Sequence, residues 1–252
     1  MAAGIRVSQL SEIASLREQY RKEMNCQIIH DSIHGRPGWT REYVLEEDGT
    51  PMGYGSVAVD GPWHDKPALY EFYVQGEHRM RVFDLFATLL AACGVKTIET
   101  QSNDRMLTMM LHTFARNLRA ESILFEDAFQ TSHEPVGASF RAATADDTEA
   151  LRRRDLDDGA GWVAILNGEA AGAGGVLYHY NRPYGDVYMK IAEPFRRKGL
   201  GTYLVQELKA VCRAGGSVPA ARCNVRNLAS RKTLQKAGFV PCGNIVVGDL
   251  PE

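Results

Sequence analysis

The feature that most restricts the fold of this chain is a glycine-containing loop between a strand pattern and a helix pattern. Residues 186–191 alternate as in a half-buried strand, and Arg196-Arg197-Lys198-Gly199-Leu200-Gly201 follows, just before an amphipathic helical repeat. Glycines let the backbone approach a ligand closely, and the free N–H groups of a first helical turn bind anions. The three neighbouring cations favour a multiply phosphorylated ligand. A plain loop-to-helix turn is the alternative interpretation of the glycine pair alone.

Two further motifs follow this loop in order. Asn227-Leu228-Ala229-Ser230 comes after the next strand pattern, and Lys236-Ala237-Gly238-Phe239 closes the next helix pattern. With the R-x-x-G-x-G loop, they resemble the GNAT superfamily of N-acetyltransferases over roughly residues 140–250. The resemblance implies a mixed α/β sheet of the acyl-CoA N-acyltransferase type, acetyl-CoA as co-substrate, and acetyl transfer to an amine. It says almost nothing about which amine.

The first half of the chain repeats the order of strand and helix patterns of the second half, but it lacks the two glycines of the loop. When Arg79 is aligned with Arg196, similar strand patterns precede both residues and helical apolar patterns follow both. Val82 and Asp84 then stand at the glycine positions. A β-branched side chain and a carboxylate would occupy the place of a pyrophosphate, and the carboxylate would repel it.

We therefore predict two GNAT-like repeats in tandem. Residues 1–133 form a degenerate repeat without a CoA site, and residues 134–252 form the catalytic, acetyl-CoA-binding domain. The boundary lies in the polar segment 131–137, which contains proline and glycine. A chain of 252 residues with 44% apolar and 24% charged residues is long enough for two ordinary domains. A single GNAT domain with an unrelated N-terminal extension is the alternative.

Charge and cysteine content restrict the partners and the compartment. A net charge of −2 gives no electrostatic reason to expect nucleic acid or an anionic membrane as a partner. The five cysteines are odd in number and form no C-x-x-C pair, which indicates reduced thiols. Because no apolar run reaches about 18 residues, we expect no membrane span and a cytoplasmic protein. We also expect a monomer or homodimer, a small-molecule amine as acceptor, and no metal.

The resemblance assigns the co-substrate site to the loop and to the two segments beside it. In GNAT proteins the corresponding loop holds the pyrophosphate, a backbone N–H near 191–192 polarises the thioester carbonyl, and the asparagine contacts the pantetheine arm. Ser230 reaches toward the far end of CoA. The expected cofactor-binding residues are Ile191, Ala192, Arg196, Arg197, Lys198, Gly199, Leu200, Gly201, Thr202, Asn227 and Ser230.

Asp186 is the expected general base, because several GNAT members carry an acidic residue at this strand position. A solvated strand-end carboxylate is the alternative, and Glu193 is a weaker rival for the role. Tyr188 lies two residues on, on the same face of the strand, and is a candidate for proton transfer; a buried core tyrosine is the alternative. A common family pattern places a tyrosine, as general acid, seven residues beyond the asparagine. This sequence has Leu234 there.

A polar stretch in the first half supplies candidate acceptor-binding residues. His30, Asp31 and His34 lie in a region that lines the acceptor cleft in GNAT folds, and Glu71 is a carboxylate within an aromatic strand pattern. The His-Asp-x-x-His spacing superficially resembles a zinc-binding helix, but a third ligand is not identified. A structural role of the histidines in a surface loop is the alternative. At the level of the whole protein, the alternative to an enzyme is a non-catalytic acyl-CoA sensor. The sequence leaves open whether the acyl group is acetyl or somewhat longer.

Overall fold

A computed structural model describes residues 4–27 and 30–251, and the chain divides into two compact units. Unit 1 comprises Met1–Ser122 with Gly243–Glu252, and unit 2 comprises Ile123–Cys242. These limits differ from those of the predicted domains, 1–133 and 134–252, because the end of the chain returns to unit 1. The predicted division into a repeat without CoA and a catalytic domain stays a prediction.

Unit 1 follows the order strand, two helices, three strands, helix, strand, helix. Its strands and helices are β1 (Gly4–Ser8), α1 (Ala14–Met24), α2 (His30–His34), β2 (Thr40–Glu47), β3 (Thr50–Ala58), β4 (Ala68–Val74), α3 (Val82–Cys93), β5 (Thr97–Gln101) and α4 (Arg105–Phe114). The strand order is β1-β2-β3-β4-β5. The last residues of the final strand, β12 (Phe239–Asp249), pair antiparallel with β5. Strand β6 (Arg116–Asp127) carries the chain out of unit 1.

Unit 2 repeats this order with one helix fewer after its first strand. Its strands and helices are β7 (Ala138–Ala142), α5 (Thr148–Arg153), β8 (Trp162–Leu166), β9 (Glu169–Leu177), β10 (Tyr184–Ile191), α6 (Leu200–Ala214), β11 (Val218–Asn224) and α7 (Leu228–Lys236). The strand order is β6-β11-β10-β9-β8-β7. The mixed α/β fold expected from the sequence is confirmed.

Local sequence explains the elements that carry the loop. The Asn-Gly pair at 167–168, a sequence typical of hairpin turns, joins β8 to β9, and both residues have a positive φ, of 51° and 85°. Helix α6 buries Leu204, Val205 and Leu208 against the sheet, as its apolar spacing predicted. Helix α3 likewise buries its apolar face in the core of unit 1.

The parallel strands β10 and β11 separate after a short paired segment. Tyr184–Asp186 pair with Val218–Ala220, and in the described part of the chain this pairing ends at Asp186. Strand β10 stays paired with β9 as far as Ile191. A gap therefore opens between β10 and β11 beyond Asp186, which we call the strand gap. Unit 1 has a similar arrangement, because among the described residues β4 and β5 pair only at Ala68–Leu69 with Thr97–Ile98.

Candidate functional site

Backbone groups of β10 border the strand gap. The Ala192 N–H donates to the Ala171 carbonyl oxygen over 3.0 Å, on the side of β9. Because hydrogen-bonding direction alternates along an antiparallel strand, residues 188 and 190 also turn toward β9, whereas Val187, Met189 and Ile191 turn toward the gap. Of the predicted pair 191–192, only Ile191 therefore presents its N–H to the gap. Such unpaired edge groups can bind an extended ligand as an added strand.

A large cavity with many basic residues lies at the outer end of the gap, and we call it the cationic cavity. Its volume is about 700 Å³, and five of its lining side chains are lysines or arginines. No acidic residue lines it among the described residues. It therefore suits a large anion. The lining residues are Met189, Lys190, Ile191, Phe195, Arg196, Arg197, Gly199, Gly201, Thr202, Asn227, Ala229, Ser230, Lys232, Thr233 and Lys236.

Most of the predicted cofactor-binding residues line this cavity, and three do not. Ala192 and Leu200 are each only 1% exposed and belong to the apolar core of unit 2. The Lys198 ammonium lies 5.4 Å from the centre of the Phe195 ring, outside the lining. Lys190 also lines the cavity but is not among the predicted residues, although its position in the strand pattern just before the loop could have indicated it.

The structure favours glycine at positions 199 and 201 for different reasons. Gly199 has φ +82°, and a Cβ atom there would collide with the His133 imidazole, so its missing side chain makes room for His133. The packing of His133 therefore already requires a glycine at this position. The close approach of a pyrophosphate to Gly199 stays a prediction. A Cβ atom at Gly201 would lie 3.1 Å from Thr233 Cγ2 and 3.4 Å from Met189 Cε, and both residues line the cationic cavity. A carboxylate at 201 would therefore crowd this cavity.

Asn227 caps the last helix of unit 2. Its side-chain oxygen accepts a hydrogen bond from the Ser230 N–H over 3.0 Å at the start of α7. The Asn-x-x-Ser motif therefore fixes the helix end that borders the cavity. Similarly, Gly238 has φ +89°, and its carbonyl accepts from the Phe129 N–H over 2.9 Å, which holds the chain entering unit 2 against the end of α7.

A second cavity of about 330 Å³ lies beside the point where β10 and β11 separate, and we call it the Asp186 cavity. It shares Met189 and Ser230 with the cationic cavity, so the two spaces meet at these residues. Its lining residues are Leu177, His179, Asp186, Val187, Tyr188, Met189, Val205, Arg222, Ser230 and Leu234.

Asp186 is buried and paired at this junction. It is 5% exposed, and its Oδ2 lies 2.9 Å from His179 Nε2 and 3.9 Å from Arg222 Nε. This environment excludes the solvated strand-end alternative. Burial, followed by the charge of Asp186, raises the pKa of Tyr180 well above its ordinary value, so that phenol stays protonated. Sequence reasoning missed His179, which lies in an irregular segment without a motif.

Tyr188 is half-buried beside Asp186 and donates a hydrogen bond. Its hydroxyl lies 3.0 Å from Asp157 Oδ2. Burial, and then this hydrogen bond, raise the pKa of Tyr188 to about 12. The phenol is therefore protonated at neutral pH and can donate a proton rather than accept one. Leu234, 4% exposed, forms an apolar part of the wall where the common family pattern has a tyrosine.

The predicted acceptor-binding residues come together in unit 1, where their polar atoms bind one another. Glu71, with a side chain 1% exposed, pairs with Arg17 over 3.0 Å, with His30 Nδ1 over 2.8 Å and with His34 Nε2 over 3.3 Å. We call these four residues the Glu71 cluster. Asp31 accepts from Arg17 over 3.0 Å. Their predicted contact with an acceptor stays a prediction.

The charges of the Glu71 cluster are mutually compensated. Burial is the largest influence on Glu71 and favours its neutral form, but Arg17 and the two histidines outweigh it, so the pKa of Glu71 lies well below its ordinary value. Burial also lowers the pKa of His30. For His34, the hydrogen bonds that it donates to Glu42 and Glu71 together outweigh burial and raise the pKa. An ionised carboxylate is thus held in the interior by its partners.

Residues 119–239 match the model of the acetyltransferase (GNAT) family, so the matched segment contains β10, the loop and both cavities. Residues 119–239 therefore belong to the GNAT superfamily. This protein is accordingly an acyltransferase of the GNAT type. No curated protein sequence matches the chain significantly.

Solved structures show the same fold along the whole of this GNAT chain. It is similar to an acetyltransferase from the GNAT family of Colwellia psychrerythraea, with a TM-score of 0.78, 16% identity, and coverage of 98% of this chain and 100% of that one. It is also similar to a tandem GNAT protein from the clavulanic acid biosynthesis pathway, with a TM-score of 0.63, 14% identity, and coverage of 100% and 99%. A GCN5-related N-acetyltransferase from Sphaerobacter thermophilus has a TM-score of 0.59 at 12% identity, with coverage of 99% and 96%.

The described residues contain neither a candidate membrane-spanning helix nor a candidate metal site. Helices in residues 4–27 and 30–251 include none that is long and apolar enough to span a membrane. Over the same residues, histidine, cysteine, aspartate and glutamate side chains form no group of three or more that could hold a metal ion.

Proposed function

We propose that this protein transfers an acetyl group from acetyl-CoA to the primary amine of a small molecule, in unit 2. One observation carries the proposal: the strand gap has a cavity rich in cations at one end and the buried Asp186–His179 pair at the other. This arrangement supports a phosphorylated donor and a proton acceptor on either side of one reaction point.

The residues of the cationic cavity fit the donor. Lys232 and Lys236 on α7 and Arg196 and Arg197 in the loop supply positive charge for phosphates, and the start of α6 supplies backbone N–H groups. The Met189 and Ile191 N–H groups face the gap, where they would hold the pantetheine arm and polarise a carbonyl. When bound, acetyl-CoA supplies the acetyl group as a reactive thioester.

The residues of the Asp186 cavity support the chemistry of an amine. The Asp186–His179 pair can take a proton from an attacking amine, and the protonated Tyr188 phenol can donate one. Leu234 offers no proton, so we expect the thiolate to be protonated by water or by another group at the junction.

The proposal also covers the acceptor, the cellular compartment and the assembly. The net charge of −2 favours a small amine over a strongly charged protein surface as the acceptor. Cys93, Cys212 and Cys223 are buried free thiols, which supports a cytoplasmic location. We keep a monomer or homodimer as the expected assembly, and no nucleic acid or membrane as a partner.

The test combines binding with turnover. Calorimetry with CoA should give one site per chain, and Lys232→Ala, which removes a cation from the cavity wall, should weaken binding. Release of free thiol from acetyl-CoA should depend on an added amine from a panel of small amines. Tight binding without turnover across the panel would favour the non-catalytic sensor, and absence of binding would refute the donor site.

A further inference from the structure

One polar partner of Asp186 is an imidazole that also reaches the cavity. His179 Nε2 lies 2.9 Å from Asp186 Oδ2, and both residues line the Asp186 cavity. The Asp186 side chain is only 7% exposed, whereas that of His179 is 25% exposed. A substrate in the cavity can therefore reach the imidazole more easily than the carboxylate.

Proton positions follow from the chemistry of this contact. An ionised carboxylate only accepts hydrogen bonds, so the proton of the neutral imidazole lies on Nε2, and Nδ1 keeps a lone pair. Such a carboxylate fixes the tautomer and orientation of a histidine base. Other charged or titratable groups near the pair include Arg222 on β11, 3.9 Å from Asp186 Oδ2, and Tyr180, whose ring centre lies 5.2 Å from that of His179. Tyr188 lines the same cavity.

We propose that His179 accepts the proton of the attacking amine through Nδ1, and that Asp186 is its positioning residue. This assignment rests on the proposed function and replaces direct proton transfer to Asp186. In the balanced reaction, the amine nitrogen forms an amide bond with the acetyl carbon, and the carbon–sulfur bond breaks with its electron pair on sulfur. The proton lost by nitrogen moves to His179 and then to the thiolate or to solvent.

The choice between the two residues also has an electrostatic reason. Histidine is the side chain that most often serves as a general base in enzymes. Asp186 is in addition occupied by contacts with His179 and Arg222. Its negative charge can stabilise the imidazolium that forms during the reaction.

The first test is kinetic. His179→Gln keeps an amide N–H that can bond to Asp186 but cannot take up a proton, so kcat/KM should fall by about two to four orders of magnitude. CoA affinity should stay within about twofold, and the acid limb of the pH profile should disappear. Added imidazole should restore part of the activity of His179→Ala, but none of the activity of Asp186→Ala. His64→Gln, at an exposed histidine of unit 1, is the matched control.

The second test needs no turnover. Nitrogen-15 NMR of the free protein should show neutral His179 with its proton on Nε2 and with Nδ1 unprotonated, and Asp186→Asn should disturb this tautomer.

The outcomes separate the two proposals. If the wild type transfers acetyl groups and His179→Gln does so equally well, or if the tautomer is reversed, the role of His179 is refuted while the proposed function stands. Rescue of Asp186→Ala by formate, with His179→Ala fully active, would make Asp186 the base. If the wild type acetylates no amine of the panel, both proposals fall.

Discussion

Replacing Glu71 by glutamine should destabilise unit 1 strongly. The substitution keeps the size of the side chain but removes its charge, and it leaves the Arg17 guanidinium, 8% exposed, without a counter-charge at Glu71. Removing one partner of a buried ion pair costs about 3–5 kcal/mol. At about 2–4 °C per kcal/mol for a chain of this size, the melting temperature should fall by roughly 10 °C.

Thermal unfolding followed by circular dichroism measures this effect. Glu18→Gln is the control, because Glu18 lies next to Arg17 in α1 but has a side chain that is 54% exposed. The double variant Arg17→Met with Glu71→Gln should lose less stability than the sum of the single variants, since no unpaired charge is left.

The pH dependence has a definite sign. Because the folded-state pKa of Glu71 is lowered, its contribution is fully present above the ordinary value of 4.5 and is lost as the pH falls through the folded value. Glu71→Gln should therefore lose less stability than the wild type on acidification. If Glu71→Gln melts within about 2 °C of the wild type and instead raises KM for the amine, the cluster binds the acceptor and the structural reasoning is refuted.

Two further predictions concern the loop of unit 2. Gly199→Ala should lower the free energy of unfolding by about 1–3 kcal/mol, because alanine disfavours the positive φ of this position and its Cβ collides with His133. Adding His133→Ala should recover only part of this loss, as measured by thermal unfolding. A Gly199→Ala variant that melts at the wild-type temperature would contradict the packing. Gly201→Asp should weaken CoA binding at least about tenfold, roughly 1.4 kcal/mol, in calorimetry, with Gly201→Ala as the smaller control. Unchanged affinity would show that the phosphates bind elsewhere.

The sequence was sufficient for features that depend on local patterns. The loop, the Asn167-Gly168 turn and the buried face of α6 follow from glycine conformations and from apolar spacing, which act over a few residues. Most of the residues that the motifs predict to bind the cofactor line one cavity for the same reason. Ala192 and Leu200 are exceptions, because burial depends on how the loop packs into the unit.

Long-range contacts could not be predicted in this way. The pairing of Ile245 with Gln101 joins residues far apart in sequence, so the return of the last strand to unit 1 leaves no local signal. His179 contacts Asp186 across the irregular segment between β9 and β10, and no periodicity marks it. The Glu71 cluster likewise depends on how α1 and α2 pack against β4, which is a property of the tertiary structure.

Glycines alone do not explain why only one repeat is expected to bind CoA. In unit 1, β4 and β5 also separate, but the cavity lined by residues of both strands beyond that point has only about 20 Å³, against about 700 Å³ for the cationic cavity. We therefore predict that Val82→Gly with Asp84→Gly, which restores both glycines, creates no second CoA site.

The double variant should also be less stable than the wild type. Val82 is 7% exposed in the core of unit 1, and two glycines in the first turn of α3 cost helix propensity, so we expect a loss of about 2–4 kcal/mol. Thermal unfolding checks that the variant is folded, and calorimetry then counts its CoA sites. A stoichiometry of two would mean that the glycines determine which unit binds CoA and that the interior of unit 1 adapts to the ligand. A stoichiometry of one in a folded variant would mean that the space beyond the point where the two parallel strands separate determines which unit can bind CoA.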